Sequence, residues 1–541
     1  MVDKKLASWV GCSAFRGCGT VGDMLQSCPP MKKISLVFGI LLTAACSVWA
    51  AAPQFDRVFG SHMVLPYGKP VSVSGTADPG KSVVVSFGNN KVKGKTDAQG
   101  RWMVSLPAMK PDSTGKVLAV EQGKEKTELE DILVGVVWVA SGQSNMAWRM
   151  NQTPSGKDEI PSSANPMLRL MHNEPQAGTS GRKYGEHEFS VLTPEGFFKG
   201  EWKVASPESV APCSAVGYYF ARDLQKSLGM PVGLIHSSLG GSEMAAWLPS
   251  EIIEKRREYA SCRGNEWLES PFISAWVRGR AKLNISDRLE KGETPEHPFK
   301  PAFLYESGIE WLTGLPVHGI LWYQGESDAE INDSRQNRKL LMDLIQSWRA
   351  GWKNPELPFV MIQLPRIKDH SPLRIHWPEF REVQSDVAGE LKNVEFVNTI
   401  DLGSADSNVH PPEKIEVGKR AANVALNRFY GRKGQAFGPE LKDWKIKGGH
   451  VFLQFKYSEG LVTTDGQTPK CFELAGDDGV FYSAEAVMNC GNGGVMVILS
   501  SPDVRKPVSA RYCWDSFVEP NLVTGAGLPA VPFRTDGDEE E

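Results

Sequence analysis

Residues 136–146, VVWVASGQSNM, decide how the rest of the chain is read. Val136 to Val139 is a run of β-branched and aromatic side chains, the pattern of a strand buried on both faces. The run stops at Ser141-Gly142, where glycine permits a sharp turn off the sheet edge. Ser144 then sits just past the carboxyl end of a strand, where open α/β sheets place their ligand sites. A serine held there becomes a nucleophile when a base reaches it. By itself a serine after a glycine is a turn residue. Its meaning depends on what the chain brings beside it.

Downstream the pattern alternates strands with helices. Ser214 to Gly229 is predicted helical, with Val216, Phe220, Leu224 and Leu228 at four-residue spacing. Ser214 is its expected cap, and Gly229 before Pro231 its expected end. Val232–Ile235, Val317–Tyr323, Phe359–Leu364 and Val394–Ile400 read as strands. Helices are expected over 334–352, 378–388 and 413–430. In the first of these, Leu341, Leu344, Ile345, Trp348 and Trp352 share one face. The charged, aromatic stretch Glu251–Lys300 has weak periodicity and is expected to be a mainly helical insertion. Repeated βα units imply an α/β fold, a doubly wound, mostly parallel sheet with helices on both faces.

The flanks read differently. VSVSG (71–75), SVVVSF (82–87), WMVSL (102–106) and VLAVEQ (117–122) are short strands between turn-rich pieces, the pattern of a small β-sandwich. After about Gly434 the chain turns β again, with HVFLQF (450–455), FYSAEAVM (481–488), GVMVILS (494–500) and VSARYCW (508–514). At the start, Met31-Lys32-Lys33 precedes an apolar run from Ile34 to Ala45 and the small residues Ala50–Ala52. That is the layout of a cleaved secretory signal peptide, and it is too short for a membrane span. The expected organisation is a leader over 1–52, a β region over 53–130, a catalytic domain over 131–433, a β region over 434–536 and an acidic tail over 537–541. The net charge of −4 on 541 residues carries no nucleic-acid footprint. Of nine cysteines, Cys213, Cys262, Cys471, Cys490 and Cys513 follow the leader. No CxxC occurs, which argues against a zinc or redox centre, and no cofactor is expected. The last three share one region, where a disulfide is possible in an oxidising compartment.

Three expected strand ends carry small and polar clusters: GQSN at 142–145, LGGS at 239–242 and QGES at 324–327. A fourth loop, Asp401–Pro412, carries His410 ahead of Pro411-Pro412, which hold it rigidly before the last helix. Parallel strands end on one side, so all four clusters converge on one cleft. Each suits acyl transfer. Ser144 attacks a carbonyl carbon while His410 takes its proton. Backbone N–H groups of Ser144 and of Gly240 or Gly241 face the developing oxyanion, with the Gln324 amide as a third donor.

These blocks carry a resemblance. GQSNM (142–146), SSLGGSEMAAWLP (237–249), LWYQGESD (321–328) and VHPPEK (409–414) closely resemble the blocks of the SGNH-hydrolase superfamily and, more narrowly, the sialate O-acetylesterase family of carbohydrate esterases. RVFGSHMVLPYGKPVSVSGTADPG (57–80) and NLVTGAGLPAVPFRTD (521–536) are similar to that family's two ends. The resemblance implies a three-layer, flavodoxin-like sheet, Ser144 as nucleophile and His410 as base. Gly241 and Gln324 match its oxyanion-hole and site blocks, and Glu326 shares the second. The implied reaction removes O-acetyl groups from a sugar such as sialic acid, without a metal. Two departures stand out. The superfamily's third block supplies an asparagine that QGES lacks, and the acid three residues before the histidine is here Ser407. Asp406 is the nearest acid ahead of His410 in its loop and is taken as the third triad member, the alternative being a Ser–His dyad whose ring is held by Ser407, Asn408 or a backbone carbonyl. An acetylated xylan or another polysaccharide is the rival substrate, and a non-catalytic glycan-binding protein the rival of another class. The mature chain is expected to act on an acetylated glycan, with neither nucleic acid nor membrane as partner.

Overall fold

The computed structural model describes residues 52–369, 371–491 and 494–537. The expected leader up to residue 51 and the tail residues 538–541 lie outside the described residues. Six strands form the parallel part of the main sheet: β1 (Glu125–Gly142), β2 (Asn165–Pro175), β3 (Val232–Ser238), β4 (Gly319–Tyr323), β5 (Phe359–Ile362) and β6 (Val394–Val397). They lie in the order β2-β3-β1-β4-β5-β6, each pair parallel. The chain lays strands on one side of β1 and then crosses to the other, so the topological switch point falls at β1.

Period-two alternation sorts the side chains of these strands between two cores. On β1, Val137 and Val139 enter one core while Val136, Trp138 and Ala140 enter the other. Helices cover both faces, as expected. α1 (Ser144–Ala147) is the turn that follows β1. α2 (Ala215–Leu228) and α5 (Ile415–Tyr430) pack together on the Trp138 face, while α3 (Ser334–Gly351) and α4 (Trp377–Glu390) pack on the other. Ser214 caps α2 by accepting a hydrogen bond from the Gly217 N–H at 3.0 Å, and Gly229 ends it at φ 66°. The 251–300 insertion consists mainly of short helices, the longest being Ala275–Asn284.

Register sets the site. Gly142 lies opposite Ser238 of β3 and Tyr323 of β4. Three adjacent strands therefore end level, and their following loops leave the sheet at one height.

The flanking β regions attach in different ways. β1 runs through the expected boundary at 131. Its first half pairs with the antiparallel strand Asp112–Gln122, and Val64–Pro66 lies parallel beside Leu133–Gly135. The catalytic sheet and the N-terminal β region thus share one strand. The C-terminal region has two four-stranded sheets around their own core. Arg381 of α4, fully buried, donates to the carbonyls of Asp515 and Ser516 at 3.0 and 3.3 Å and ties that region to the catalytic unit. Cys213, Cys262, Cys471 and Cys513 are free thiols.

Trp138 anchors the Ser144-bearing strand. It is fully buried, donates to the Tyr430 hydroxyl at 2.8 Å, and packs so tightly on Gly319 that a Cβ there would come within 2.4 Å of its ring. Trp138→Ala is expected to cost about 3–5 kcal/mol in urea unfolding. A loss below about 1 kcal/mol would show that β1 is held in some other way.

Candidate active site

The backbone between β1 and α1 fixes Ser144. Gly142 has φ 139°, and a Cβ there would lie 2.1 Å from the Tyr323 carbonyl oxygen, so only glycine fits. The Gln143 side chain turns back under the turn, accepting from the N–H groups of Gly325 and Ser327 at 3.2 and 3.4 Å. This bonds the Ser144 turn to the loop after β4. Ser144 itself is half-buried and lines a cavity of about 350 Å³ together with Gly240, Gly241, Glu326 and His410.

The loop after β3 presses against the serine. A Cβ on Gly240 would touch Ser144 Cβ at 3.5 Å. Gly241 adopts φ 78°, and a Cβ there would come within 2.8 Å of the Trp276 ring. Thr179 and Ser327 donate to the Gly240 and Gly241 carbonyls at 3.0 and 3.2 Å, which fixes those peptide planes. The N–H groups of Ser144, Gly240 and Gly241 are engaged by no other group among the described residues. N–H groups left free beside a serine hydroxyl are able to bind an oxyanion.

His410 reaches the same cavity from the loop before α5. Two successive Asx turns shape that loop: Asp406 Oδ1 accepts from the Asn408 N–H at 2.9 Å, and Asn408 Oδ1 accepts from the His410 N–H at 3.0 Å. The His410 ring stacks on Trp148, with centroids 5.6 Å apart. Burial, and then the positive charges of Lys414 and Arg374, hold its pKa below the usual 6.5. At neutral pH the imidazole is therefore uncharged and able to accept a proton.

Two expected site residues are not where the sequence suggested. Gln324 is fully buried beneath the cavity. Its amide nitrogen donates to Asp328 and, at 3.2 Å, to the Ser242 carbonyl, so it is consumed as a brace and does not reach an oxyanion. The Asp406 carboxylate is exposed and caps its own loop, and it is absent from the cavity wall. Glu326, expected among the oxyanion and substrate-binding residues of the QGES block, lines the cavity. It is 2 % exposed and its Oε1 accepts from Asn145 Nδ2 at 2.5 Å, while its Oε2 is buried with no hydrogen-bond partner among the described residues. The same Asn145 nitrogen donates to the Val409 carbonyl at 3.0 Å, tying this carboxylate to the residue before His410. Burial raises the Glu326 pKa above its usual value, against the Asn145 hydrogen bond and the charges of Lys414 and Arg374.

Sequence reading quoted Asn145 and Lys414 inside its motifs without giving them a role. It missed Trp276 and Arg280, which line the cavity from the insertion helix. Their spacing of four residues on a helix was the available signal, hidden by the weak periodicity around it. His236, buried, contacts His172 and Ser238, and the half-buried His318 stacks on Tyr67, so both are packing groups away from the cavity wall.

The chain is similar to several known proteins. Residues 300–427 match the family model described as carbohydrate esterase, sialic acid-specific acetylesterase. The solved structure of a carbohydrate acetylesterase from Xanthomonas citri is 30 % identical, covers 90 % of this chain and 99 % of its own, and superposes with a TM-score of 0.73. Sialate O-acetylesterase of Mus musculus is 26 % identical over 92 % of this chain and 97 % of its own length. The Homo sapiens protein of the same name is 28 % identical over 93 % and 96 %.

A small organophosphonate should label Ser144, as read by peptide mass spectrometry, and Ser144→Ala should remain unlabelled. Because burial and nearby cations lower the His410 pKa, the labelling rate should climb with pH through a midpoint below 6.5. A midpoint well above 6.5, or label on another serine, would contradict the geometry.

Proposed function

The chain belongs to the sialate O-acetylesterase family of carbohydrate esterases, and from that premise we propose that it is a secreted serine esterase removing O-acetyl groups from sialic acid. It is a carbohydrate acetylesterase. The observation that carries the mechanism is that Ser144, His410 and Glu326 line one cavity together with Gly240 and Gly241.

Ser144 Oγ attacks the acetyl carbonyl carbon as His410 takes its proton. The oxyanion lies against the N–H groups of Ser144, Gly240 and Gly241. Collapse breaks the bond to the sugar oxygen, which leaves with the proton held by His410. Water then gives its proton to His410, attacks the acetyl-enzyme and releases acetate and the free serine. In each half-reaction His410 becomes cationic. The Glu326 Oε2 is the buried acceptor that orients and stabilises that cation, in the role first assigned to Asp406.

The sugar reading rests on Arg280. Its guanidinium donates to the Thr179 carbonyl at 2.8 Å and lies over Trp276 at 5.0 Å. It lines the cavity and makes no ion pair among the described residues. A held guanidinium beside the reacting serine suits a sugar that carries a carboxylate. Secretion rests on the leader-like segment from Met31.

In purified protein, Ser144→Ala and His410→Ala should each lose on the order of 10³-fold or more in kcat. Glu326→Gln should lose about 10²-fold or more, and Asp406→Asn less than about tenfold. The reverse order for the two acids would restore Asp406. For the sugar, the wild type should prefer O-acetylated sialic acid over its methyl ester by about tenfold, a preference lost in Arg280→Gln. Equal use of acid and methyl ester, with faster release from acetylated xylo-oligosaccharides, would withdraw sialate and leave the esterase.

A further inference from the structure

A lysine buried under the nucleophile is absent from the mechanism above. Lys414 is 1 % exposed and, among the described residues, its ammonium makes one hydrogen bond, donating to Asn145 Oδ1 at 2.6 Å. It also lies over the rings of Trp148 and Tyr323, at 5.9 and 6.0 Å from their centroids. Holding an ammonium in such a place is costly unless it is paired and hydrogen-bonded, and Asn145 supplies that bond.

What depends on it is the orientation of Asn145. That amide has its oxygen on Lys414 and its nitrogen on two acceptors, Glu326 Oε1 and the Val409 carbonyl. Turned by 180°, its oxygen would face two oxygens and its NH₂ an ammonium. The lysine thus fixes which end of the amide faces the carboxylate. Asn145 also follows Ser144 directly, and Trp148 stacks on His410. One side chain therefore touches the supports of the serine, the acid and the base.

We propose that Lys414 is a positioning residue: through Asn145 it holds the Glu326 carboxylate and the His410 loop in register with Ser144. It acts on the reaction through these groups and does not touch the acetyl ester. The role rests on the mechanism above, in which Glu326 serves His410.

The electrostatics agree with the geometry. The titratable groups facing Lys414 are Glu326 and Tyr323 from the β4 side and Glu413 and His410 from its own loop; Arg374 faces His410 from the loop before α4. Burial pushes the Lys414 pKa down to about 7, opposed by Glu326 and Glu413. Its charge lowers the pKa of both Glu326 and His410. Removing that charge lets both values rise. The neutral imidazole and the ionised carboxylate then persist only at higher pH, so the acid limb of kcat/KM must move upward.

The test compares Lys414→Met, Lys414→Arg and Asn145→Ala with the wild type, using a chromogenic acetyl ester across pH. Lys414→Met should lose about 10²-fold in kcat with KM changed less than about threefold, because mispositioning of about 1 Å costs that much. Its acid limb should rise by at least about half a pH unit, and Lys414→Arg, which keeps the charge, should restore the limb. Asn145→Ala should reproduce the kcat loss. Adding Lys414→Met to it should cost little more, as two links of one chain do. A folded Lys414→Met with wild-type kcat and an unmoved acid limb overturns the proposal, as does full additivity in the double variant. If Lys414→Met fails to fold, wild-type kcat and limb in Asn145→Ala overturn it alone. Failure of Glu326→Gln to impair the enzyme would instead remove the mechanism on which the role rests.

Discussion

The site depends on three parallel strands ending level. Gly142 has Ser238 on one side and Tyr323 on the other as register partners. Parallel pairing shifted by one residue would turn every side chain of β1 to the other face, which the two cores on either side of Val136–Ala140 forbid. Hydrophobic sorting therefore sets the height of the loops. Gly142 then adds a local constraint, since the approach of the Tyr323 carbonyl leaves no room for a Cβ. Catalytic geometry is thereby inherited from core packing.

Above that frame lies a cluster of buried carboxyl groups. Glu326, Asp328 and Glu243 are all nearly inaccessible, and burial raises the pKa of each. Gln324 braces Asp328, Asn145 braces Glu326, and Arg374 reaches Glu330 at 3.1 Å. Replacing such groups with apolar ones would often favour stability. Their retention beneath one cavity marks where stability is given up for a fixed polar arrangement.

Much of this was legible in the chain. β-branched runs identify β1, β3, β5 and β6, and a serine cap with a trailing glycine frames α2 to within a residue. β2 was not found, because NPMLRLMHNEP lacks the β-branched run and mixes Arg and His into a buried strand. Asn90–Lys95 was missed for the opposite reason: it is a polar strand that buries almost nothing. At the site, Ser144, Gly240, Gly241 and His410 meet as the motif spacing implied. The acid did not. Asp406 was favoured by nearness in sequence, but the carboxylate tied to the His410 loop comes from a strand end more than eighty residues away. Gly325, with φ 151°, bends the chain between Gln324, buried beneath the cavity, and Glu326, which lines it. Composition carries no trace of that arrangement.

The central claim is that level strand ends place Ser144, and no other group, in line with the ester. Rapid-quench mixing with an acetyl ester, followed by peptide mass spectrometry, tests it most directly. The account predicts one added acetyl group on the peptide that carries Ser144, appearing before acetate release and vanishing as substrate is exhausted. Steady turnover with no acetyl group on any residue, or an acetyl group transferred to another side chain, would contradict it.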